Sequence, residues 1–134
     1  MDRSERGLEQ AYWALRVGLG GAAFVAGLDK FFGYLAMWEM YLAPWAAGAL
    51  PFSSGTFFRV VGVVEMAAGA MVLTRWTRLG AYVVAAWLAA IAVQLVTTGS
   101  FYDLAVRDLG LAIAAFALAK LSEWRAARGV AAAA

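Results

Sequence analysis

Long apolar runs separated by short charged clusters dominate this chain. Asp2–Gln10 is polar and carries Arg3 and Arg6, and an apolar run then covers residues 11–32. At about 1.5 Å per residue, that run can cross a hydrocarbon core of about 30 Å. It reads as a span rather than a cleaved leader, because three more apolar segments follow and no small-x-small site closes it. Residues 33–56 form a connector in which Tyr34, Met37, Trp38, Tyr41 and Trp45 recur at helical spacing, interrupted by Pro44 and Pro51. Aromatic residues of this kind prefer the headgroup level, so the spacing predicts a short interfacial helix anchored by Tyr34, Trp38, Tyr41 and Trp45. The next spans are predicted at 57–74, 79–98 and 104–121. The third is the clearest, with no charged residue between Arg78 and Asp103, and Gly99 and Ser100 mark a turn after it. Arg125 and Arg128 open an Ala-rich tail, 125–134, that is expected to fray. There is no internal repeat and no second domain. The pattern therefore predicts an all-α fold in one membrane domain, residues 1–134: an integral bundle of four transmembrane helices with an interfacial helix between spans one and two.

Composition strengthens this reading. The chain is 64% hydrophobic and 15% charged, against about 45–50% and about 25% in soluble domains. A chain of 134 residues cannot cover that apolar surface with polar side chains, so the lipid bilayer is its natural solvent and first partner. The net charge is only +2. The basic residues sit near predicted helix ends rather than in a stripe, which argues against a nucleic-acid partner. Cysteine and histidine are both absent. That excludes iron–sulfur ligation, thiol exchange, the usual haem ligand and an ordinary zinc site. No metal or covalent cofactor is expected, and redox chemistry would need a diffusible carrier such as a quinone. Arg3, Arg6, Arg75, Arg78, Lys120, Arg125 and Arg128 fall on one side of the predicted bundle. The positive-inside rule then places both termini in the cytoplasm and the aromatic connector outside.

Ionisable groups within spans carry the most information, since each costs about 2.5–3.5 kcal/mol at a helix centre. Arg16 lies near a helix end and can snorkel. The others gather toward the outer ends: Asp29 and Lys30, then Arg59, Glu65 about 9 Å deeper, and Arg107 with Asp108. Lys30, Glu65 and Asp108 share helix faces with Gly and Ala, which allow close helix approach. Gln94 can join them by hydrogen bonding. Two readings follow from the residues. One is an ion-pair network that pins helix register. The other is a polar pocket open to the outer face, with Lys30, Arg59 and Arg107 holding a small anion or a quinone carbonyl and Asp29, Glu65 and Asp108 accepting protons. Gly18, Gly20 and Gly21 lack the strand context of a nucleotide loop and read as packing positions. There is no catalytic triad, so a catalytic role for the chain alone is not expected.

Three stretches resemble the DoxX-like family of small bacterial membrane proteins. LRVGLGGAAFVAGLDKFFGY (Leu15–Tyr34) is similar to that family's R-x-x-x-G…G-x-x-K opening, VVGVVEMAAGAMVLTRWTRLGAY (Val60–Tyr82) to its G-x-x-E…G…R-x-G stretch, and YDLAVRDLGLAIAAFALAKL (Tyr102–Leu121) to its closing R-D/N-x-x-L segment. The resemblance covers Trp13–Leu121 and matches Lys30, Glu65, Arg107 and Asp108 to family positions. It implies a four-helix, multi-pass protein of the bacterial plasma membrane. It further implies an accessory subunit of a membrane oxidoreductase or oxidative-stress system, with a membrane or periplasmic redox protein as partner. A structural scaffold without ligand and a small transporter are the alternatives, and self-association into a homo-oligomer is compatible with each.

Overall fold

A computed structural model describes residues 2–133, with side chains to Gly129. The elements are α1 (Arg3–Asp29), a 3-10 turn (Trp38–Tyr41), α2 (Pro44–Ala49), α3 (Ser54–Leu73), α4 (Thr77–Val96) and α5 (Tyr102–Ala133), and no strand occurs among the described residues. α1, α3 and α4 are each long and apolar enough to cross a membrane. In α5 the charge-free run is only Leu109–Ala119, between Asp108 and Lys120. At about 1.5 Å per residue it is shorter than a hydrocarbon core of about 30 Å.

Helix ends follow from local chemistry. α1 starts eight residues before the predicted span, at Arg3 rather than Ala11. Asp2 accepts the Glu5 N–H at 2.8 Å, and the Glu5 carboxylate accepts the Asp2 N–H at 2.9 Å. This reciprocal box satisfies two free donors and carries the helix through the polar segment. α1 stops at Asp29, and Gly33, at φ +74°, turns the chain back over the bundle. A φ in that region suits glycine, which has no Cβ to clash. The single interfacial helix expected over the aromatic stretch is replaced by the 3-10 turn and the short α2. Pro44 is the first residue of α2 rather than a breaker, because its missing N–H would be unpaired there anyway. Ser53 caps α3 by accepting the Thr56 N–H.

α5 corrects a second expectation. It does not end near Leu121 but continues to Ala133. Arg125 donates to Glu9 at 2.6 Å and Arg128 pairs with Glu5, which ties this extension to the first turns of α1. Residue 134 and the side chains after Gly129, the last part of the expected frayed tail, lie outside the described residues.

The four long helices form two tight pairs. α1 packs chiefly on α3, and α5 chiefly on α4, while α1 and α5 touch far less. The α1–α3 contact is backbone on backbone. A Cβ on Gly27 would lie 2.6 Å from the Gly62 carbonyl, and one on Gly69 would lie 2.7 Å from the Gly20 carbonyl. These contacts recur two turns apart, which is the small-residue solution to helix association in lipid. The α4–α5 seam is built from buried Ala81, Val84, Ala92, Ala105, Ala112, Ala115 and Ala119. Val63, Val93, Val106, Leu109, Ile113 and Phe116 face outward and exposed. An apolar exterior around a small-residue interior suits lipid as the solvent.

Candidate functional site

Between the two helix pairs lies a cavity of about 840 Å³, walled by α1, α3, α4 and α5 and roofed by the connector. That volume is in the range of about 300–1,000 Å³ usual for small-molecule sites. Most of its wall is Ala, Leu, Val, Phe and Ile, and its polar lining is Lys30, Tyr41, Glu65, Gln94, Arg107 and Asp108, with the indoles of Trp38 and Trp87.

Lys30 and Glu65 meet in this wall at 2.7 Å, with side chains only 5% and 10% exposed. The approach of Gly27 to Gly62 makes this contact possible, because each residue lies one turn or less from a glycine at the point of closest helix contact. The Trp87 indole N–H donates to the other Glu65 oxygen at 3.2 Å. Lys30 also donates to the Ala26 carbonyl at 3.4 Å and stands 3.7 Å from the centre of the Trp38 ring. The pair thus satisfies the condition for burying charge: a partner of opposite sign and further hydrogen bonds. No buried side-chain nitrogen or oxygen among the described residues lacks a partner.

Asp108 differs. It is 93% buried by its 7% exposure, yet its one hydrogen-bond partner among the described residues is the neighbouring Arg107 guanidinium at 3.5 Å. Arg107 is itself 63% exposed. Asp108 is also within Coulombic reach of Lys30. A carboxylate can accept about four hydrogen bonds, so Asp108 is the lining group with unspent acceptor capacity. The lining charges Lys30, Glu65, Arg107 and Asp108 sum to zero. That balance favours a neutral polar head over a bare anion.

The remaining sequence candidates do not join this cluster. Asp29 turns away from Lys30, and its carboxylate accepts the N–H groups of Tyr34 and Leu35 and the Trp38 indole, all at 2.9–3.0 Å. Its work is to hold the chain reversal after α1. Arg59 is exposed and has neither an ion pair nor a hydrogen bond among the described residues. Gln94 lines the cavity but clamps the roof: its carbonyl accepts the Ala43 N–H and its amide donates to the Tyr41 carbonyl at 3.1 Å. The four aromatic candidates divide. Tyr34 and Trp45 are 88% and 62% exposed. Trp38 and Tyr41 turn inward to line the cavity, and Tyr41 meets Phe101 edge-on at 4.9 Å. Trp45 also ties the roof to α4 through a hydrogen bond to the Thr97 hydroxyl.

Two features went unforeseen. Trp87 as the second partner of Glu65 was legible only as a shared face with Gln94, since its contact is made across helices. At the opposite end, Arg16 donates to the Val72 and Thr74 carbonyls at 2.9 and 2.8 Å. It caps the C-terminus of α3, where free carbonyls and the helix dipole favour a cation. At that end the Tyr82 hydroxyl donates to Glu123 and holds its carboxyl below the usual carboxylate range.

No family model matches the sequence, and comparison with curated proteins and with solved structures finds no match either.

Proposed function

We propose that this chain is a four-span membrane protein that binds a quinone-class ligand in its interhelical cavity, as an accessory subunit of a membrane oxidoreductase or oxidative-stress system of the DoxX-like kind. In this reading α5 is the fourth span, the connector lies at the outer interface and both termini are cytoplasmic. A membrane or periplasmic redox protein is the partner, and the bacterial plasma membrane is the location. The observation that carries the proposal is the apolar cavity of about 840 Å³ ending on a charge-balanced polar head. Such a head suits a ring bearing carbonyl or hydroxyl oxygens, and the apolar wall suits its tail. Asp108 would accept from a hydroxyl and Arg107 would donate to a carbonyl, with the Lys30–Glu65 pair as a fixed wall behind them. With no cysteine or histidine in the chain, catalysis would belong to the partner.

The test is a titration of the full chain in lipid nanodiscs with a short-chain quinone and its quinol, read as quenching of tryptophan fluorescence. Saturable quenching is expected, weakened about tenfold by Asp108→Asn, as for loss of a charged hydrogen bond, and unchanged by Arg59→Gln. Absence of saturation with either form would refute the proposal.

A second reading, a structural bundle without ligand, is favoured by one observation: the Lys30 and Glu65 groups already satisfy each other and their neighbours. It predicts that changes at Asp108 alter no ligand binding.

A further inference from the structure

The end of the molecule opposite the connector holds a second hollow of about 570 Å³. Its wall contains four arginines, Arg16, Arg75, Arg125 and Arg128, with the hydroxyl residues Thr74, Thr77 and Ser122 and the rings of Tyr12 and Trp124. Among the described residues the only acid in the wall is Glu9, and Glu5 beside it pairs with Arg128. Two positive charges therefore remain after both acids are counted against four guanidinium groups.

These arginines are held in place with donors to spare. Arg16 spends Nε and one Nη2 proton on the Val72 and Thr74 carbonyls, and its guanidinium lies 4.7 Å from the Trp13 ring centre. Arg125 spends Nε on Glu9 and lies 4.1 Å from the Tyr12 ring centre. A guanidinium has five N–H donors, so each keeps several unused. Arg75 has no ion pair or hydrogen bond among the described residues and stands over the Trp76 ring. Ser122 has no hydrogen-bond partner within the described residues. The start of α4 enters the wall at Thr77, and this helix has no side-chain cap.

Fixed guanidinium forks beside an uncapped helix start are the arrangement that recognises phosphate oxygens. The positive-inside rule explains basic residues near a membrane surface, but it acts on lysine as readily as on arginine. Here every cation in the wall is arginine, and two are oriented by hydrogen bonds. Tyr12, Trp13, Trp76 and Trp124 cluster around the hollow, the residue types that settle at headgroup level.

We propose that this hollow is a binding site for a phosphate-bearing anion of the phosphate monoester class, supplied as a lipid headgroup. The proposal stands independently of the ligand in the interhelical cavity.

The test uses the full chain in a nonionic detergent and reads the thermal unfolding midpoint at constant ionic strength. The probes are short-chain phosphatidic acid, short-chain phosphatidylcholine and inorganic phosphate. A saturable rise with phosphatidic acid and none with phosphatidylcholine supports the site. Competition by millimolar inorganic phosphate would assign the source to free phosphate, and lack of competition to lipid. Arg75→Gln removes a cation that makes no ion pair, so its midpoint without probe should equal that of the parent. Its affinity for phosphatidic acid should fall about tenfold, the loss typical of one charged hydrogen bond. Ser122→Ala is the second variant, with a smaller loss in the same direction. The proposal is overturned if no anionic probe saturates, or if both variants bind phosphatidic acid as the parent does.

Discussion

Replacing Gly62 by alanine separates two effects that are usually mixed. The added Cβ would lie 2.5 Å from the Gly27 carbonyl oxygen and 3.2 Å from the Lys30 Cβ. Carbon–oxygen contacts between backbones settle at about 3.3–3.6 Å, so α1 and α3 must part locally by roughly 1 Å. The obstacle is main chain, and no rotamer can relieve it. Lys30 and Glu65 sit one turn or less from this point, and their 2.7 Å contact would stretch to roughly 3.5–3.7 Å, outside good hydrogen-bond geometry. Overpacking of this kind costs about 1–3 kcal/mol, and the weakened charged hydrogen bond adds about 1 kcal/mol. The expected loss is therefore about 2–4 kcal/mol. Gly110→Ala is the control, because its Cβ meets nothing within 4 Å. There helix propensity favours alanine by up to about 1 kcal/mol. Reversible unfolding by sodium dodecyl sulfate in mixed micelles, followed by tryptophan fluorescence, measures both. If Gly62→Ala were as stable as the parent, or no worse than Gly110→Ala, the account of the α1–α3 contact would be wrong.

Lys30→Met leaves the Glu65 carboxylate buried without its cation and is expected to lose about 3–5 kcal/mol, while Lys30→Met with Glu65→Leu recovers most of it. The same micelle unfolding reads both, and an additive double variant would refute the pairing. Tyr82→Phe removes the hydroxyl that holds the Glu123 pKa down. A depressed carboxylate contributes stability above its unfolded value and loses it as pH falls through the folded one. The parent should therefore exceed Tyr82→Phe in stability at neutral pH, and the gap should close below the folded pKa of Glu123; unfolding midpoints across a pH series test this. Gln94→Leu removes both hydrogen bonds that hold the roof at Tyr41 and Ala43, at about 0.5–1.5 kcal/mol each. Limited proteolysis should then cut the connector faster in that variant than in the parent, and equal rates would refute the clamp.

The helices were legible wherever apolar residues ran uninterrupted. The predicted 57–74 and 79–98 lie within a turn of Ser54–Leu73 and Thr77–Val96, because charged residues and turn formers bound those runs. The Asp2-x-x-Glu5 box was also readable as a helix start, but the polar segment hid it behind the apolar boundary at residue 11. The connector was harder. Its aromatic spacing matched one helix, yet Trp38 and Tyr41 are set by Asp29, Lys30, Gln94 and Phe101, all distant or beyond the turn.

By itself, the sequence determined that the chain is helical and carries apolar segments long enough to cross a membrane. Both follow from local properties: hydropathy, run length and the position of turn residues. It also narrowed the chemistry, since two residue types are missing altogether. Which charges meet was decided only by tertiary structure. Asp29 and Lys30 are adjacent in the chain but serve opposite tasks, one folding the connector and the other pairing with Glu65 across a helix contact. Arg59 was as good a candidate as Lys30, yet it faces outward. The difference is rotational: a turn of about 100° per residue moves a side chain from a cavity to the exterior. The rotation is set by where Gly20, Gly27, Gly62 and Gly69 let two backbones touch.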